Sequence, residues 1–164
     1  NPQPILSNFE NKLAIEYLNH TQNVLLLEDE SRTIGRLPIP ESWYLRMKRS
    51  ELILLKIDND TRINNIYNEY VKSPMSQGQQ GLDNSLQNSL LKIRRRLGEK
   101  LYQDLNKIIK YSFLNADING HKEWIKILLL EYYDPLYDYQ LKDKNSRILF
   151  QGDTNDVKEY ISLL

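Results

Sequence analysis

The sequence contains no cysteine. That excludes disulfides, thiolate metal sites and a persulfide carried on this chain. Histidine is scarce as well. His20 and His121 are the only two, and their separation matches no metal-ligand spacing. No apolar run approaches the ~20 residues of a membrane helix. The longest, Val24–Leu27 and Ile127–Leu130, are of core size. Net charge is zero, with 22 Lys+Arg against 22 Asp+Glu, so any nucleic-acid contact must come from local basic clusters. The six glycines include no Gly-Lys pair. The pattern G-x-x-x-x-G-K-[ST] is therefore missing, and with it a phosphate-cradling loop. The start, Asn1-Pro2-Gln3-Pro4, has neither the basic nor the apolar region of a secretory signal, which makes the cytoplasm the expected location.

What is present is ordinary for a globular protein: 164 residues, 40% hydrophobic and 27% charged, enough for one domain with a real core. Ser7 and Glu10 have the spacing of a capping box, and Phe9, Leu13 and Tyr17 follow at helical intervals. Val24–Leu27, ending abruptly in Glu28-Asp29-Glu30, reads as a strand buried on both faces. Pro40 and Glu41 open a short helix, Leu52–Ile57 reads as a second buried strand, and Thr61–Val71 as a helix. This alternation predicts α/β architecture with a parallel sheet. Ser73–Gly81 reads as a loop. It separates an α/β part, 1–72, from a mainly helical part, 82–164, within a single domain. Leu86, Leu90, Ile93, Leu97, Leu101, Leu105 and Ile108 form one helical stripe, which Gly98 interrupts. A further helix over His121–Tyr133 is expected to stop before Asp134-Pro135. Arg147–Phe150 reads as the last strand, and Asp153 or Thr154 as the cap of a terminal helix.

Four groups of residues could carry chemistry. Asp29 and Glu30, with Ser31, lie at the carboxyl end of the first expected strand, where parallel sheets place their ligand crevice. Carboxylates there can hold Mg²⁺ or order a water; equally, they can only solvate the strand end. Arg32 and Arg36 flank Gly35 and could form a phosphate-binding corner, or could pair with the neighbouring acids. Lys92, Arg94, Arg95 and Arg96 form the densest basic cluster, suited to tRNA or pyrophosphate, or else to a solvated helix face. Tyr132, Tyr133, Tyr137 and Tyr139 surround Asp134-Pro135. Such tyrosines stack on unpaired bases or pack amphipathically.

Phe9-Glu10-Asn11-Lys12-Leu13, Glu28–Arg32 with Ile34-Gly35, Arg95-Arg96-Leu97-Gly98 and Tyr132–Tyr139 occur in one order along nearly the whole chain. In these motifs the sequence resembles the tRNA 2-selenouridine synthase family. The resemblance implies the C-terminal portion of a P-loop-like domain, with the phosphate-loop strand absent. It implies a parent enzyme with an N-terminal rhodanese-like domain that carries a catalytic cysteine. That enzyme replaces the sulfur of wobble 2-thiouridine with selenium through an S-geranylated intermediate. Its substrates are selenophosphate and geranyl diphosphate, and its partner is tRNA. By inference from charge and position, Asp29, Glu30 and Ser31 would line the crevice and Arg32 and Arg36 would bind the diphosphate. Lys92, Arg94, Arg95, Arg96 and Tyr137 would meet tRNA. No covalent cofactor, metal site or membrane contact is expected, and the isolated chain is expected to be inactive. A non-catalytic tRNA-binding module and a nucleotide-kinase-like relative are the rival readings; the missing phosphate loop opposes the second.

Overall fold

The structure is a computed structural model that describes residues 3–164. In chain order its elements are α1 (Leu6–Leu18), β1 (Thr33–Ile34), β2 (Leu37–Pro38), α2 (Glu41–Arg49), β3 (Leu52–Leu55) and α3 (Asn59–Tyr67). A π-helical turn (Asn68–Lys72) leads into α4 (Ser73–Ser76), and α5 (Leu82–Leu97), α6 (Glu99–Leu114) and α7 (Ile118–Leu128) follow. A second π turn (Leu129–Tyr133) leads into α8 (Asp134–Lys142). A 3-10 turn (Asn145–Arg147), β4 (Ile148–Gly152) and α9 (Thr154–Ser162) close the chain. The fold is helix-rich α/β with a small parallel sheet, consistent with a partial P-loop-like domain.

The chain divides into two compact units, 1–56 with 145–164, and 57–144. This boundary does not follow the composition shift at residues 73–81. The final strand and helix return to the first unit because β4 pairs with β3.

In the first unit β3 and β4 run parallel, with Leu52 opposite Ile148 and Leu55 opposite Gly152, and a bulge between Leu52 and Ile53. The Lys56 amide extends the ladder to the Gly152 carbonyl at 2.8 Å. Asp153 then caps α9: its Oδ1 accepts from the Asn155 and Asp156 amides, while the Asp156 carboxylate accepts from the Asp153 amide. Phe150 of β4 stacks on Tyr160 of α9 at 4.3 Å between ring centres. β1 and β2 form a tight antiparallel hairpin. Its turn needs Gly35 because φ there is +62°, a conformation that side chains disfavour; a Cβ would also displace the end of the Gln3 side chain. That amide donates to the Ile34 carbonyl and accepts from the Arg36 backbone.

Two expectations fail in this unit. Val24–Leu27 forms no strand, and its side chains are between 39% and 50% exposed. An apolar run signals the need for burial, but a strand also requires a partner ladder, and β3 pairs with β4 alone among the described residues. Ser7 is not a helix cap either. α1 begins two residues earlier than a Ser7 cap would place it, after Ile5, and no side chain caps it.

The second unit is helical. Asp58 caps α3 by accepting from the Thr61 amide at 2.9 Å, and this bond holds its carboxyl below the ordinary value. The core joins α3, α5, α6 and α7 through Ile63, Leu90, Leu105, Ile109, Trp124 and Ile125. The long stripe breaks at Gly98 as expected, at φ +81°, a conformation that suits glycine. Two other boundaries differ. The helix begun by α3 passes through Ser73 and Pro74 to Ser76, where a loop was expected, and the helix begun by α7 passes through Asp134-Pro135. In both places a π turn immediately precedes the proline-bearing segment. Its wider i→i+5 bonding shifts the hydrogen-bond register, so the proline lies near the start of a fresh α segment, where its missing N–H costs least.

His121 lies against this core, 2% exposed. Its Nδ1 accepts from the Trp124 indole at 3.2 Å, so its proton resides on Nε2, which has no hydrogen-bond partner among the described residues. Burial holds the imidazole below its ordinary pKa, against a smaller opposing effect of Asp117. The unfolded chain therefore takes up this proton more readily than the native one. The associated stability is complete above the unfolded value of about 6.5 and is lost as pH falls below it, by at most ~1.4 kcal/mol per pH unit. Thermal unfolding followed between neutral pH and about pH 5 should show this decline, and His121→Gln should flatten it.

Candidate functional site

In the first unit the expected crevice residues form a charge cluster. Asp29 faces two cations, Lys48 of α2 at 3.8 Å and Arg147 at 3.9 Å. Arg147 does more than balance this charge. Its Nη1 donates to the Met47 and Ser50 carbonyls, both at 2.9 Å, and so closes the C-terminal end of α2. The guanidinium thus ties the Asp29 segment, α2 and the start of β4 together. Arg147 was not singled out from sequence: a lone arginine before an apolar run carries no local signal of a long-range capping role.

Glu30 is half-buried beside Asp29. Ser31 turns its hydroxyl back to the Thr33 carbonyl at 2.8 Å. Asp29 and Glu30 do not gather with other carboxylates or histidines into a metal-holding group among the described residues. Arg32 is exposed, 3.4 Å from Glu41 and 5.8 Å above the Tyr44 ring; Lys48 also approaches that ring, at 5.3 Å. Tyr44 thus has two cations near its ring, Arg32 and Lys48. Arg36 sits in the hairpin turn, exposed, with no ion pair from its side chain among the described residues. The exposed Val24–Leu26 segment borders an open groove of about 700 Å³, with Leu45, Ile53 and Leu149 on its walls.

In the second unit the basic cluster is not uniform. Arg94 is committed: its Nε donates to Glu99 at 2.7 Å across the Gly98 break, and its guanidinium lies 4.9 Å above Tyr102. Glu99 also accepts from Gln103. The Arg94 bond, then the Gln103 bond, hold the Glu99 carboxyl below its ordinary value. Lys92, Arg95 and Arg96 are exposed, without ion pairs among the described residues.

The same unit contains a pocket of about 600 Å³ that sequence patterning did not reveal. Its floor is apolar, built from Ile66, Leu86, Leu90, Ile93, Trp124 and Leu128. Its rim carries Tyr70 from the first π turn, Tyr133 from the second, Tyr137 of α8, Ser89 of α5 and Arg62 of α3. Partial burial, with Tyr132, Tyr137 and Tyr70 nearby, pushes the Tyr133 phenol above its ordinary value. Arg62 pairs with both oxygens of Asp134, one contact measuring 3.0 Å. The helical spacing of the floor residues indicated a face needing burial, but their enclosure depends on the two π turns.

The Arg147 contacts lead to a stability prediction. Arg147→Ala removes two carbonyl caps and one partner of Asp29 from a mostly buried position. It should destabilise the protein by about 2–4 kcal/mol. Arg32→Ala, at an exposed pair, should cost less than about 1 kcal/mol. Denaturant unfolding of the two variants side by side checks this ranking.

Comparison with known proteins places these features in a family. The model of the tRNA 2-selenouridine synthase AAA domain matches residues 1–163. The tRNA 2-selenouridine synthase of Shewanella frigidimarina is 39% identical over 177 residues, covering 98% of this chain and 48% of that protein. That of Shewanella oneidensis is 38% identical over 180 residues, covering 99% and 48%. The Shewanella woodyi protein is 35% identical over 175 residues, covering 97% and 48%. The chain spans about half the length of these curated relatives. No solved structure matches. With a match that runs from its first residue almost to its last, the chain belongs to the tRNA 2-selenouridine synthase family.

Proposed function

We propose that the chain is the P-loop-like portion of a transferase that converts wobble 2-thiouridine of tRNA to 2-selenouridine through an S-geranylated intermediate. The observation that carries this reading is the family match over residues 1–163. Selenophosphate and geranyl diphosphate are the substrates of the parent enzyme, and the cytoplasm is its location. The catalytic cysteine, the rhodanese-like domain and the phosphate loop belong to an N-terminal portion, in the same longer chain or a separate polypeptide. The isolated chain is inactive on this reading, since it carries no cysteine and no such loop. The exposed Val24–Leu27 segment is consistent with a sheet whose remaining strands lie in that portion. Residues 1–164 then belong to a single larger domain.

Within this reading Asp29, Glu30 and Ser31 border the ligand crevice. Arg32 and Arg36 receive the diphosphate, Arg36 being the freer of the two. Lys92, Arg95 and Arg96 meet the tRNA backbone. Arg94 contributes less, because Glu99 already neutralises it. Tyr137, which is 57% exposed, is open to an unpaired base.

Nucleoside analysis of tRNA treated with the complete enzyme tests the reaction. Arg36→Ala should reduce geranyl transfer by about tenfold or more with the melting temperature unchanged. The double replacement Arg95→Ala/Arg96→Ala should weaken all tRNAs alike and reduce the slope of log affinity against log salt by about two. Normal geranyl transfer by Arg36→Ala would exclude it from the diphosphate site, and an unchanged slope would remove the basic cluster from the RNA interface.

A further inference from the structure

The outer faces of α5 and α6 carry a concavity of a different chemistry. Gln87, Asn88, Leu91 and Arg94 recur at helical spacing on α5, and Tyr102, Gln103, Asn106 and Lys110 do so on α6. Together with Lys107 they line an open groove of about 360 Å³. Its base is firm, because Leu90, Leu105 and Ile109 join the two helices in the core beneath. Four of the lining side chains are carboxamides, each a donor and an acceptor at once, and no carboxylate lines the groove. Such a wall suits a ligand that carries donors and acceptors of its own.

Arg94 has a particular place in it. Its Nε donates to Glu99 at 2.7 Å, and its guanidinium lies 4.9 Å above the Tyr102 ring. The plane is held from one edge and from one face, yet the side chain remains 46% exposed. Glu99 neutralises its charge but leaves the other face open. The Asn106 Oδ1 is buried and has no hydrogen-bond partner among the described residues. Turning that amide over breaks no bond of this oxygen, so it can offer either end to a ligand. Lys107 and Lys110 are exposed and without ion pairs among the described residues. From Tyr102 to Lys110 the α6 wall extends about 12 Å at 1.5 Å per residue.

We propose that the α5–α6 groove holds an unpaired nucleotide of RNA, its base stacked on the Arg94 plane, its edge against the carboxamides and its phosphates on Lys107 and Lys110. Single-stranded RNA is selected by these means, since a free base offers a face to a guanidinium plane and an edge to Asn or Gln. A duplex hides the face. The inference rests on the preceding reading only in taking RNA as the partner. It gives Arg94 a role of shape rather than charge. Carboxamides and a fixed guanidinium hold a base without moving a proton, so the nucleotide bound here positions the RNA and is not the one modified.

Fluorescein-labelled decauridine, titrated into the 164-residue chain at several salt concentrations and followed by anisotropy, tests this. Arg94→Lys keeps the charge and loses the plane. It should weaken binding about fivefold or more with the salt slope unchanged. Lys107→Gln/Lys110→Gln should lower the slope of log affinity against log salt by about 1.4, at about 0.7 for each phosphate contact. Leu91 is 49% exposed, and Leu91→Glu places a carboxylate in the groove without breaking a bond of the fold. It should weaken binding about tenfold or more at an unchanged melting temperature, and it keeps the test decisive should Arg94→Lys unfold. No binding of decauridine overturns the proposal, as does equal binding by folded Leu91→Glu or an unweakened, folded Arg94→Lys. Decaglutamate bound as tightly as the RNA also overturns it and marks an acidic-peptide site. Binding that obeys these variants, with no selenouridine formed by the complete enzyme, supports this site and rejects the transferase reading. Absent binding with tRNA still modified rejects this site alone.

Discussion

In the helical unit one ion pair ties α3 to α8 across 72 positions of sequence. Arg62 leaves the first turn of α3, and Asp134 stands where the second π turn gives way to α8. A carboxylate that accepts two parallel N–H bonds fixes angle as well as distance, which a single-point contact with lysine would not do. Both side chains are about a quarter exposed, so desolvation is incomplete and the attraction is not consumed by it. The Asn59 side chain also accepts from Arg62, which steadies the guanidinium from its own helix. With α8 held in this way, Tyr133 and Tyr137 remain at the rim of the apolar pocket.

The first unit uses an arginine for a different purpose. Arg147 closes two carbonyls at the end of α2 and faces Asp29. Asp29 is therefore a structural acid in this arrangement, whatever further contact its segment makes with a ligand. The division of labour among the cationic residues follows the same logic. Arg94 is bound by the nearby Glu99 and Arg147 by carbonyls and a carboxylate distant in sequence, whereas Arg36, Arg95 and Arg96 project into solvent. A motif groups such residues by their neighbours in sequence, while their chemistry is sorted by their neighbours in space.

This contrast explains what could be read in advance. The α5–α6 stripe and its break at Gly98 were legible because periodicity and a glycine are local signals. A cap for α9 at Asp153 or Thr154 was legible for the same reason, and Asp153 takes the role. Asp134-Pro135 was misread as a stop, because the rule assumes α-type bonding in the preceding turn, and the π turn changes that bonding. The apolar character of Val24–Leu27 was plain, but its pairing was not, since a strand is defined by a partner that composition does not contain. The charged groups of the candidate site were visible as residue types. Their commitments were not: Arg147 with Asp29 and Arg62 with Asp134 are long-range pairs that no spacing rule encodes. The family motifs, by contrast, were specific enough to place the chain before any geometry was known.

The parallel pairing of β3 with β4 has a consequence for synthesis. Parallel neighbours require a crossover connection, and here the crossover, 56–147, contains the whole second unit. β3 must leave the ribosome well before its partner exists. The inserted helices are rich in contacts between neighbouring elements, and such topologies close fast. The nascent chain thus carries a finished helical body while an unfinished sheet edge waits behind it. Throughout that interval the Leu52–Leu55 backbone lacks its β4 partner, and an unpaired strand edge is open to pairing with other chains.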